Sequence, residues 1–395
     1  MALPLAYNWR NLFVRKFSTG LTFTIVAVVV CVLSVLLSFA VGIQASLTAS
    51  GSPENLLVLR PGATSESTSI IDLEDASRLV QAPHLASDAE GRLLISHELY
   101  VQTSLPRKGP GGAMANVAVR GVEETAFVVH EQVRIIPGQG RRCEKGGLEV
   151  IVGKAARDRY VNLELGNQIA LGRLGNRLCQ VVGVFEAGGS AFESEIWAPR
   201  TTLADLYQEQ ICSSVVLRLT SPQAAPDAIA YINGPAVALE AKREIDYYKE
   251  LASKTRDIII LTCVLVGIMA IGAVFAVANT MYAAVDGRRR EIAMLRTIGF
   301  SRASIMTAFV IESLLICAGA CVFGLSLSLM VRQAYGARQD FLSETTWTVL
   351  AYELQITPQT LAAALIVATI VGIVGAMAPA VRAARTGVIE ALRKA

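Results

Sequence analysis

The residues whose types and spacing suggest chemistry form one short charged segment, Arg288–Gly299, which lies between two long apolar runs. As a helix, this segment places Ile292, Leu295 and Gly299 on one face, with the arginines on other sides. Gly299 suits a helix C-cap, and Arg296 falls in the last turn, where a cation favours the helix dipole. The chemistry that this pattern allows is noncovalent, because a rigid charged helix is a surface that a partner's cleft can bind.

A plain inner loop is the competing interpretation of this segment, since arginines collect on the cytoplasmic side of any membrane protein. That rule does not require Glu291, the apolar face or the terminal glycine. Their combination favours a coupling helix, predicted at residues 286–301.

No set of residues predicts catalysis. The segment Gly147–Lys154 has the wrong spacing for a Walker A motif and is followed by Ala155, where that motif has Ser or Thr. The pairs His97–Glu98 and His130–Glu131 lack the second histidine of a zinc protease, and no other metal-binding pattern occurs. No basic stretch interleaved with aromatic residues suggests nucleic-acid binding. We therefore expect no enzyme, no catalytic residue, no metal site and no nucleic-acid partner.

Four apolar stretches are long enough to hold the charged segment at a membrane. The chain has 395 residues, of which 53% are hydrophobic and only 17% are charged, and a bilayer core needs about 20 apolar residues in a helix. The predicted transmembrane helices are 18–46, 258–285, 302–331 and 357–381. A cleaved signal peptide is the alternative for the first, but its apolar run exceeds the roughly 7–15 residues of such peptides.

The basic residues near the span ends predict the orientation. They concentrate before the first span, in the loop 286–301 and in the tail 382–395, whereas the segment 332–356 balances its arginines with acids. Both termini and the charged helix are therefore expected in the cytoplasm. Residues 47–242 and the short segment 332–356 are expected outside.

Two flanking segments are expected to be helical. Residues 1–17 read as an amphipathic elbow helix on the inner membrane leaflet, with an ordinary flanking anchor as the equal alternative. Residues 243–257 read as a polar helix that runs into the second span without a break. A helix from Arg243 to Val285 would be about 64 Å long, against about 30 Å of hydrocarbon, so the surplus is expected to project as a stalk unless the helix kinks near Ser253.

The outer segment 47–242 alternates strand and helix patterns and is expected to form two subdomains. Its predicted strands are Asn55–Arg60, Arg92–Leu105, Asn116–Gly121, Leu148–Val152, Gln168–Leu171, Cys179–Phe185 and Ser214–Leu219. A helix is expected over Asp72–Gln81 and another from Lys154. The predicted fold class is an α-helical membrane protein with four transmembrane helices and a large α+β extracytoplasmic domain inserted between helices 1 and 2.

Several of these segments resemble one known family. Asn279–Met281, Arg290–Phe300 and Phe309–Ser313 are similar to the permease core of the MacB/FtsX-like ABC superfamily (type VII, mechanotransmission). The tail Gly375–Arg393 resembles the C-terminal motif of that family, and Asn11–Lys16 is more weakly similar. The layout of one span, an outer domain and three further spans extends the resemblance over the whole chain.

The resemblance implies a permease without a fused ATPase domain, closer to the DevC or LolC/LolE type than to MacB. It implies a homodimer, or a heterodimer with a paralogue, in contact with membrane lipid in the bacterial inner membrane. A separate cytoplasmic ABC ATPase would bind ATP and Mg, so no cofactor is expected in this chain. A periplasmic adaptor and an outer-membrane duct are further partners that the family allows.

The resemblance also assigns roles to individual residues. The expected ATPase contacts are Arg290, Glu291, Ile292, Leu295, Arg296 and Gly299. Glu312, within the third span, is either a functional intramembrane acid or a buried acid paired with an inner arginine such as Arg302 or Arg382, and the second is favoured. Small residues that would allow close helix packing are Ala320, Gly324 and Ser328.

Two functions fit these features. The first is ATP-driven export or extraction of a lipid, lipoprotein, peptide or hydrophobic drug, through movements of the periplasmic domain. The second is an FtsX-like signal relay that activates a periplasmic cell-wall hydrolase. The large outer domain favours the exporter, because a relay needs only a small docking lobe. A membrane-anchored enzyme finds almost no support in the residues.

Overall fold

The computed structural model describes residues 16–108, 112–253, 256–334, 338–342, 349–353 and 357–385. Two compact units are present. The helical unit contains residues 1–41, 256–337 and 354–395, and the sheet unit contains residues 42–255 and 338–353. The predicted elbow helix at 1–17 and the end of the tail fall almost entirely outside the described residues.

Eleven α-helices occur in the described part of the chain. In chain order they are α1 (Lys16–Thr48), α2 (Leu73–Ser77), α3 (Ala126–Val129), α4 (Lys154–Arg159), α5 (Arg200–Tyr207), α6 (Ala225–Ile232), α7 (Glu244–Ser253), α8 (Arg256–Gly287), α9 (Arg289–Thr297), α10 (Arg302–Ala334) and α11 (Pro358–Arg385). Helices α1, α8, α10 and α11 are long and apolar enough to cross a membrane. They cover the four predicted spans, and the expected fold class is confirmed.

Small residues let the long helices of the helical unit approach one another. A Cβ atom on Gly324 of α10 would lie 2.5 Å from the Ala27 carbonyl oxygen of α1, and one on Gly375 of α11 would lie 2.8 Å from Val277 Cβ of α8. Polar side chains add specific contacts, since the Thr22 hydroxyl of α1 is hydrogen-bonded to the Thr280 hydroxyl of α8. In an apolar solvent such close packing and interhelical hydrogen bonds hold helices together.

The sheet unit is built on one mixed sheet of ten strands. The strands in the described residues are β1 (Asn55–Leu59), β2 (Ile71–Asp72), β3 (Ile95–Pro106), β4 (Met114–Val122), β5 (Arg134–Gly140), β6 (Glu149–Gly153), β7 (Gln168–Leu171), β8 (Arg177–Glu186), β9 (Ile196–Pro199), β10 (Ile211–Cys212), β11 (Ser214–Arg218), β12 (Glu240–Arg243), β13 (Arg338–Leu342) and β14 (Val349–Glu353). The large sheet has the order β12-β1-β11-β3-β4-β9-β6-β8-β5, with β7 also paired to β8. Most pairs are antiparallel, whereas β4–β9 and β6–β8 are parallel.

Two apolar cores divide this sheet along its length. One packs around β1 and β11 and includes Leu56, Val58 and Leu217. The other packs around β4, β6 and β8 and includes Val119 and Val181. Strand β3 contributes Ile95 to the first core and Leu99 to the second, so the two subdomains share a continuous backbone ladder.

The predicted stalk differs from the structure in its start and its surroundings. Arg243 belongs to β12, where it pairs with Leu56 of β1, and the helix α7 begins at Glu244. Tyr247 and Tyr248 are only 4% and 5% exposed, because α7 packs within the sheet unit. The first turns of α7 therefore do not project freely from the membrane as a stalk. Residues 254 and 255 lie outside the described residues, so continuity with α8 stays a prediction.

The segment 332–356 contains structure that the sequence analysis did not anticipate. Strands β13 and β14 form an antiparallel hairpin, and this hairpin belongs to the sheet unit although it lies between two spans in the chain.

Candidate functional site

The charged segment forms a short helix, α9, with a defined end. Gly299 has a φ of +107°, a conformation that glycine adopts without strain. The backbone N–H of Phe300 donates to the Leu295 carbonyl at 3.1 Å, which closes the last turn. Ser301 Oγ then accepts a hydrogen bond from the Ser304 N–H at 3.1 Å and caps α10. The sequence thus fixes both the end of α9 and the start of the next helix.

The apolar face of α9 is buried within the helical unit. Ile292 is 2% exposed and packs with Val285 of α8, Phe309 of α10 and Ala380 of α11. This corrects the expectation that Ile292 contacts a partner, because its own chain already covers it. The periodicity of the sequence indicated an apolar face on α9. It did not indicate that α11, far along the chain, would pack against that face.

The other expected contact residues divide into two groups. Arg290, Glu291 and Gly299 are exposed, whereas Leu295 and Arg296 are half-buried. Arg296 Nη1 donates to the Ala384 carbonyl oxygen of α11 at 3.2 Å. Arg296 therefore ties α9 to the last span and has less of its side chain available to a partner.

Two exposed apolar side chains on α9 were missed by the sequence analysis. Met294 is 53% exposed and Ile298 is 75% exposed. They follow Arg290 at intervals of four residues, so the three side chains share one face of the helix. This face, consisting of Arg290, Met294 and Ile298, is here called the α9 outer face. The spacing was a usable signal, but it was hidden by the stronger pattern of charges.

Glu312 lies beneath the start of α9 and is 5% exposed. Arg288 Nη1 donates to Glu312 Oε2 at 3.1 Å, and Arg288 Nε donates to Glu291 Oε2 at 3.2 Å. The Arg288 guanidinium also stands 5.4 Å from the centre of the Phe309 ring. Glu312 was expected to pair with an inner arginine, for which Arg302 and Arg382 were the examples, and the ion pair described here is with Arg288. The favoured structural interpretation of Glu312 is thus supported by geometry, with a different arginine.

The small-residue stripe lies inside the helical unit. Ala320 and Ser328 are buried, at 0% and 2% exposed, and Gly324 faces the backbone of α1 at Ala27. Ser328 Oγ donates to the Leu325 carbonyl of its own helix at 2.7 Å. Gly324 thus contributes to packing within one chain.

A second candidate site, not anticipated from the sequence, lies in the core of the sheet unit. Arg120 of β4 is 2% exposed and is surrounded by three carboxylates. Its Nη1 lies 2.7 Å from both Glu66 Oε1 and Glu98 Oε2, and its Nε lies 2.8 Å from Glu195 Oε2. The available signal in the sequence was a single charged residue, Arg120, in a mostly apolar strand. The strand was predicted, but the charge within it was not interpreted.

His130 extends this cluster towards α7. Its Nε2 lies 2.8 Å from Glu98 Oε1, and its Nδ1 faces Glu244 Oε1 at 3.6 Å. Both carboxylates are buried, at 0% and 1% exposed. Burial alone would raise the pKa of Glu98, but His130 and Arg120 outweigh it and lower that pKa to about 2.

Glu244 connects α7 to the segment that follows α1. Its Oε2 accepts hydrogen bonds from the Ser52 N–H and from Asn55 Nδ2, each at 2.9 Å. Gly51 permits this approach, because a Cβ there would lie 2.7 Å from Ile245 Cα. The buried group of Glu66, Glu98, Arg120, His130, Glu195 and Glu244 is called the charge cluster below. It joins β3, β4, α7, the residue before β9 and the segment that follows α1 at one point.

Neither site has the arrangement of a metal centre, since no group of three or more His, Cys, Asp or Glu side chains in the described part of the chain is placed to hold a metal ion. The α9 outer face can bind a protein surface. The charge cluster can hold several elements in one arrangement, or release them when its charge changes.

Two family models match the chain. The MacB-like periplasmic core domain matches residues 19–234, and the FtsX-like permease C-terminal domain matches residues 263–388. The first alone covers more than half of the chain, and its match continues from the first span into the sheet unit.

Several curated MacB proteins are similar in sequence to this chain. The macrolide export ATP-binding/permease protein MacB of Photorhabdus laumondii is 24% identical over 98% of this chain and 60% of its own length. MacB of Escherichia coli is 25% identical over 69% of this chain and 43% of its own length. MacB 1 of Yersinia pestis is 27% identical over 56% of this chain and 34% of its own. The chain thus spans only part of the length of each of these relatives.

Among solved structures, the periplasmic region of MacB from Actinobacillus actinomycetemcomitans is similar to this chain, with 13% sequence identity and a TM-score of 0.36. The aligned part covers 51% of this chain and 94% of the MacB periplasmic region.

Proposed function

Since the chain belongs to the MacB/FtsX-like family of ABC transporter permeases, we propose that it transmits the ATPase cycle of a separate cytoplasmic subunit to its sheet unit. Its four apolar helices and its family make it a multi-pass protein of the bacterial inner membrane. In the proposed orientation both termini and α9 face the cytoplasm, and the sheet unit lies in the periplasm.

The observation that carries this proposal is the exposure of the α9 outer face. Met294 and Ile298 are 53% and 75% exposed beside the exposed Arg290 and Glu291. Apolar side chains ringed by charge are typical of a surface that a protein partner covers. The proposed partner is an ABC ATPase that binds ATP and Mg.

The buried side of α9 is proposed to pass movement of the bound ATPase to the membrane helices. Ile292 packs on α8, α10 and α11, Arg288 pairs with Glu312, and Arg296 holds the Ala384 carbonyl. A load on α9 therefore acts on three spans together. In the sequence only residues 254 and 255 separate α8 from α7, so movement of α8 is proposed to reach the sheet unit through this connection.

The proposed cargo is a lipid, lipoprotein, peptide or hydrophobic drug handled at the outer face of the inner membrane. Several curated relatives are named as macrolide export proteins, which supports export as the direction. A homodimer, or a pair with a paralogue, and a periplasmic adaptor with an outer-membrane duct complete the proposed assembly.

An FtsX-like relay to a cell-wall hydrolase is the second candidate, supported by the match of residues 263–388 to the FtsX-like permease domain. The ten-stranded sheet with two cores favours the exporter, because a relay needs only a docking lobe. Affinity purification from native membranes separates the two. Recovery of an ATPase with an adaptor, lipid or lipoprotein supports export, and recovery with a cell-wall hydrolase supports the relay.

The α9 outer face is tested by Met294→Glu in membranes reconstituted with the co-purified ATPase. We expect loss of permease-dependent stimulation of ATP hydrolysis, because a buried charge without a partner opposes docking. Glu291→Lys and Gly299→Pro are expected to uncouple as well. The matched control is Arg289→Gln, an exposed position on another side of α9. Normal stimulation by the Met294→Glu protein, inserted at the usual level, would remove α9 from the proposal.

A further inference from the structure

One ring nitrogen of His130 has a hydrogen-bond partner among the described residues and the other does not. The ring is 0% exposed. Nε2 is hydrogen-bonded to Glu98 Oε1 at 2.8 Å, whereas Nδ1 has no hydrogen-bond partner in the described part of the chain. The polar atom that Nδ1 faces is Glu244 Oε1, at 3.6 Å. A gap of this length is slightly too long for a hydrogen bond. It separates the His130 ring from Glu244, the first residue of α7.

The charges around this gap do not balance. Four buried carboxyl groups, those of Glu66, Glu98, Glu195 and Glu244, surround two basic groups, Arg120 and His130. The fully charged cluster would carry a net charge of −2 even with His130 protonated, and one more negative charge with His130 neutral. Buried charge without compensation is strongly unfavourable. The folded cluster therefore favours states that keep a proton near the gap.

The position of that proton decides whether the gap attracts or repels. Glu98 orients the ring so that Nε2 carries a hydrogen, which leaves Nδ1 directed at Glu244. With one proton in the gap, on either atom, Nδ1 and Oε1 form a donor and acceptor pair. Without it, the lone pair of Nδ1 and a carboxylate oxygen face each other and repel.

We propose that one proton held between His130 Nδ1 and Glu244 Oε1 latches α7 to the rest of the sheet unit, and that its loss at raised external pH releases the start of this helix. Glu244 is the first residue of α7, so a contact at its carboxylate acts on the helix end. The other oxygen of Glu244 binds the Ser52 N–H and Asn55 Nδ2, so release also loosens the segment after α1.

The groups facing His130 from each neighbouring element support this direction. Glu98 of β3, Arg120 of β4 and Glu244 of α7 act on the ring, and Arg120 is in turn neutralised by Glu66 and Glu195. Burial lowers the pKa of His130, but Glu98 and Glu244 outweigh burial and raise it above its ordinary value. Burial also raises the pKa of Glu244. Both shifts mean that His130 and Glu244 bind protons more tightly in the folded chain than in the unfolded chain.

Aromatic rings also pack around His130, which is fully buried. Phe192 and Trp197 lie with ring centres 4.9 and 5.8 Å from that of His130. Tyr248 of α7 packs edge-on against Phe192 at 6.1 Å. The ring of Tyr247, also on α7, lies 5.2 Å from that of Tyr248, and burial raises the pKa of both phenols, so they stay neutral through the neutral range.

The latch itself does not depend on an ATPase, but its consequence rests on the proposed function. If α7 passes movement from α8 to the sheet unit, then the pH outside the membrane sets how firmly that movement is transmitted. The decisive experiment therefore uses the permease chain alone, in lipid nanodiscs, so that failure of the latch and failure of ATPase coupling are observed separately.

Two measurements on the full chain test the latch from pH 5 to pH 9. Carbon-13 NMR of labelled histidine follows the three imidazoles of the chain, with a purification tag that contains no histidine. Hydrogen–deuterium exchange, corrected for the intrinsic effect of pH, follows peptides that cover 244–253. We expect the protection of this helix to fall by up to about tenfold per pH unit as His130 loses its proton.

Variants separate the latch from simple packing. In His130→Gln and Glu244→Gln the protection of α7 should no longer depend on pH. The control His97→Gln removes a histidine that pairs with Glu123 at 3.2 Å outside the charge cluster, and it should leave the dependence intact. If His130→Gln does not fold, the wild-type titration still decides. Constant protection of α7 while His130 titrates, or no titration of His130 in this range, would overturn the latch.

Discussion

Arg120 stands between Val119 and Gly121 in an otherwise apolar strand, and its guanidinium compensates three carboxylates at 2.7 to 2.8 Å. The sequence made its strand predictable, because apolar residues alternate and cluster there. It could not predict the ion pairs, since Glu66 and Glu195 are 54 and 75 residues away in the chain. Only the folded sheet brings them together.

Replacing Arg120 by Leu should destabilise the sheet unit severely. Three buried carboxylates would lose their counter-ion, and breaking a buried pair in this way costs about 3–5 kcal/mol. Thermal unfolding followed by the fluorescence of the buried Trp197 is the measurement, in a chain whose other tryptophans are replaced by Phe. Arg141→Leu, which removes an exposed pair with Glu149, is the control and should change little. Equal effects of the two substitutions would contradict a central role for Arg120.

Glu98 should make the sheet unit sensitive to acid. Its pKa is lowered to about 2 in the folded chain, against about 4.3 in an unfolded one. A lowered pKa gives stability above the unfolded value that is lost as the pH falls towards 2. The loss amounts to about 3 kcal/mol for this group. Denaturant unfolding between pH 6 and pH 3 should show a shallower decline for Glu98→Gln than for the wild type, and equal slopes would argue against the shift.

At the scale of elements, α9 shows what periodicity can and cannot reveal. The helix and its glycine end were predicted from the sequence, and both are found. The sequence could not tell which face is free, because Phe309 and Ala380, which help to cover Ile292, belong to helices further along the chain. Ile292 was therefore expected to be free although its own chain covers it, and the exposed Met294 and Ile298 were missed.

The contact between α10 and α1 should depend on the absence of a side chain at Gly324. A Cβ there would meet the Ala27 carbonyl at 2.5 Å, so Gly324→Leu must push the two helices apart. We expect lower yield and a lower melting temperature in detergent. Gly272→Leu is the matched control, because a Cβ at Gly272 of α8 meets nothing within 4 Å. A similar loss in both proteins would indicate that leucine is tolerated poorly for reasons other than packing.

At the scale of the whole molecule, the sequence predicted the spans and most strands of the inserted domain but not the order of the sheet. Composition and length are local properties, and they suffice to recognise four membrane-spanning helices. Strand order is not local. β4 pairs in parallel with β9, whose residues are more than 70 positions later, and no pattern within either strand specifies that partner.

The hairpin β13–β14 has a consequence for transplanting this domain between relatives. The polypeptide enters and leaves the sheet unit twice, at 41–42 and 255–256 and again at 337–338 and 353–354. A graft that exchanges only residues 42–255 would leave the host's hairpin beside a foreign sheet, whereas a graft that also exchanges 338–353 would move a self-consistent module. Paired chimaeras with a MacB relative should therefore differ in protease resistance, with the two-segment graft the more resistant. Divergence of the sheet unit during evolution would face the same requirement, because two separate stretches of the gene would have to change together.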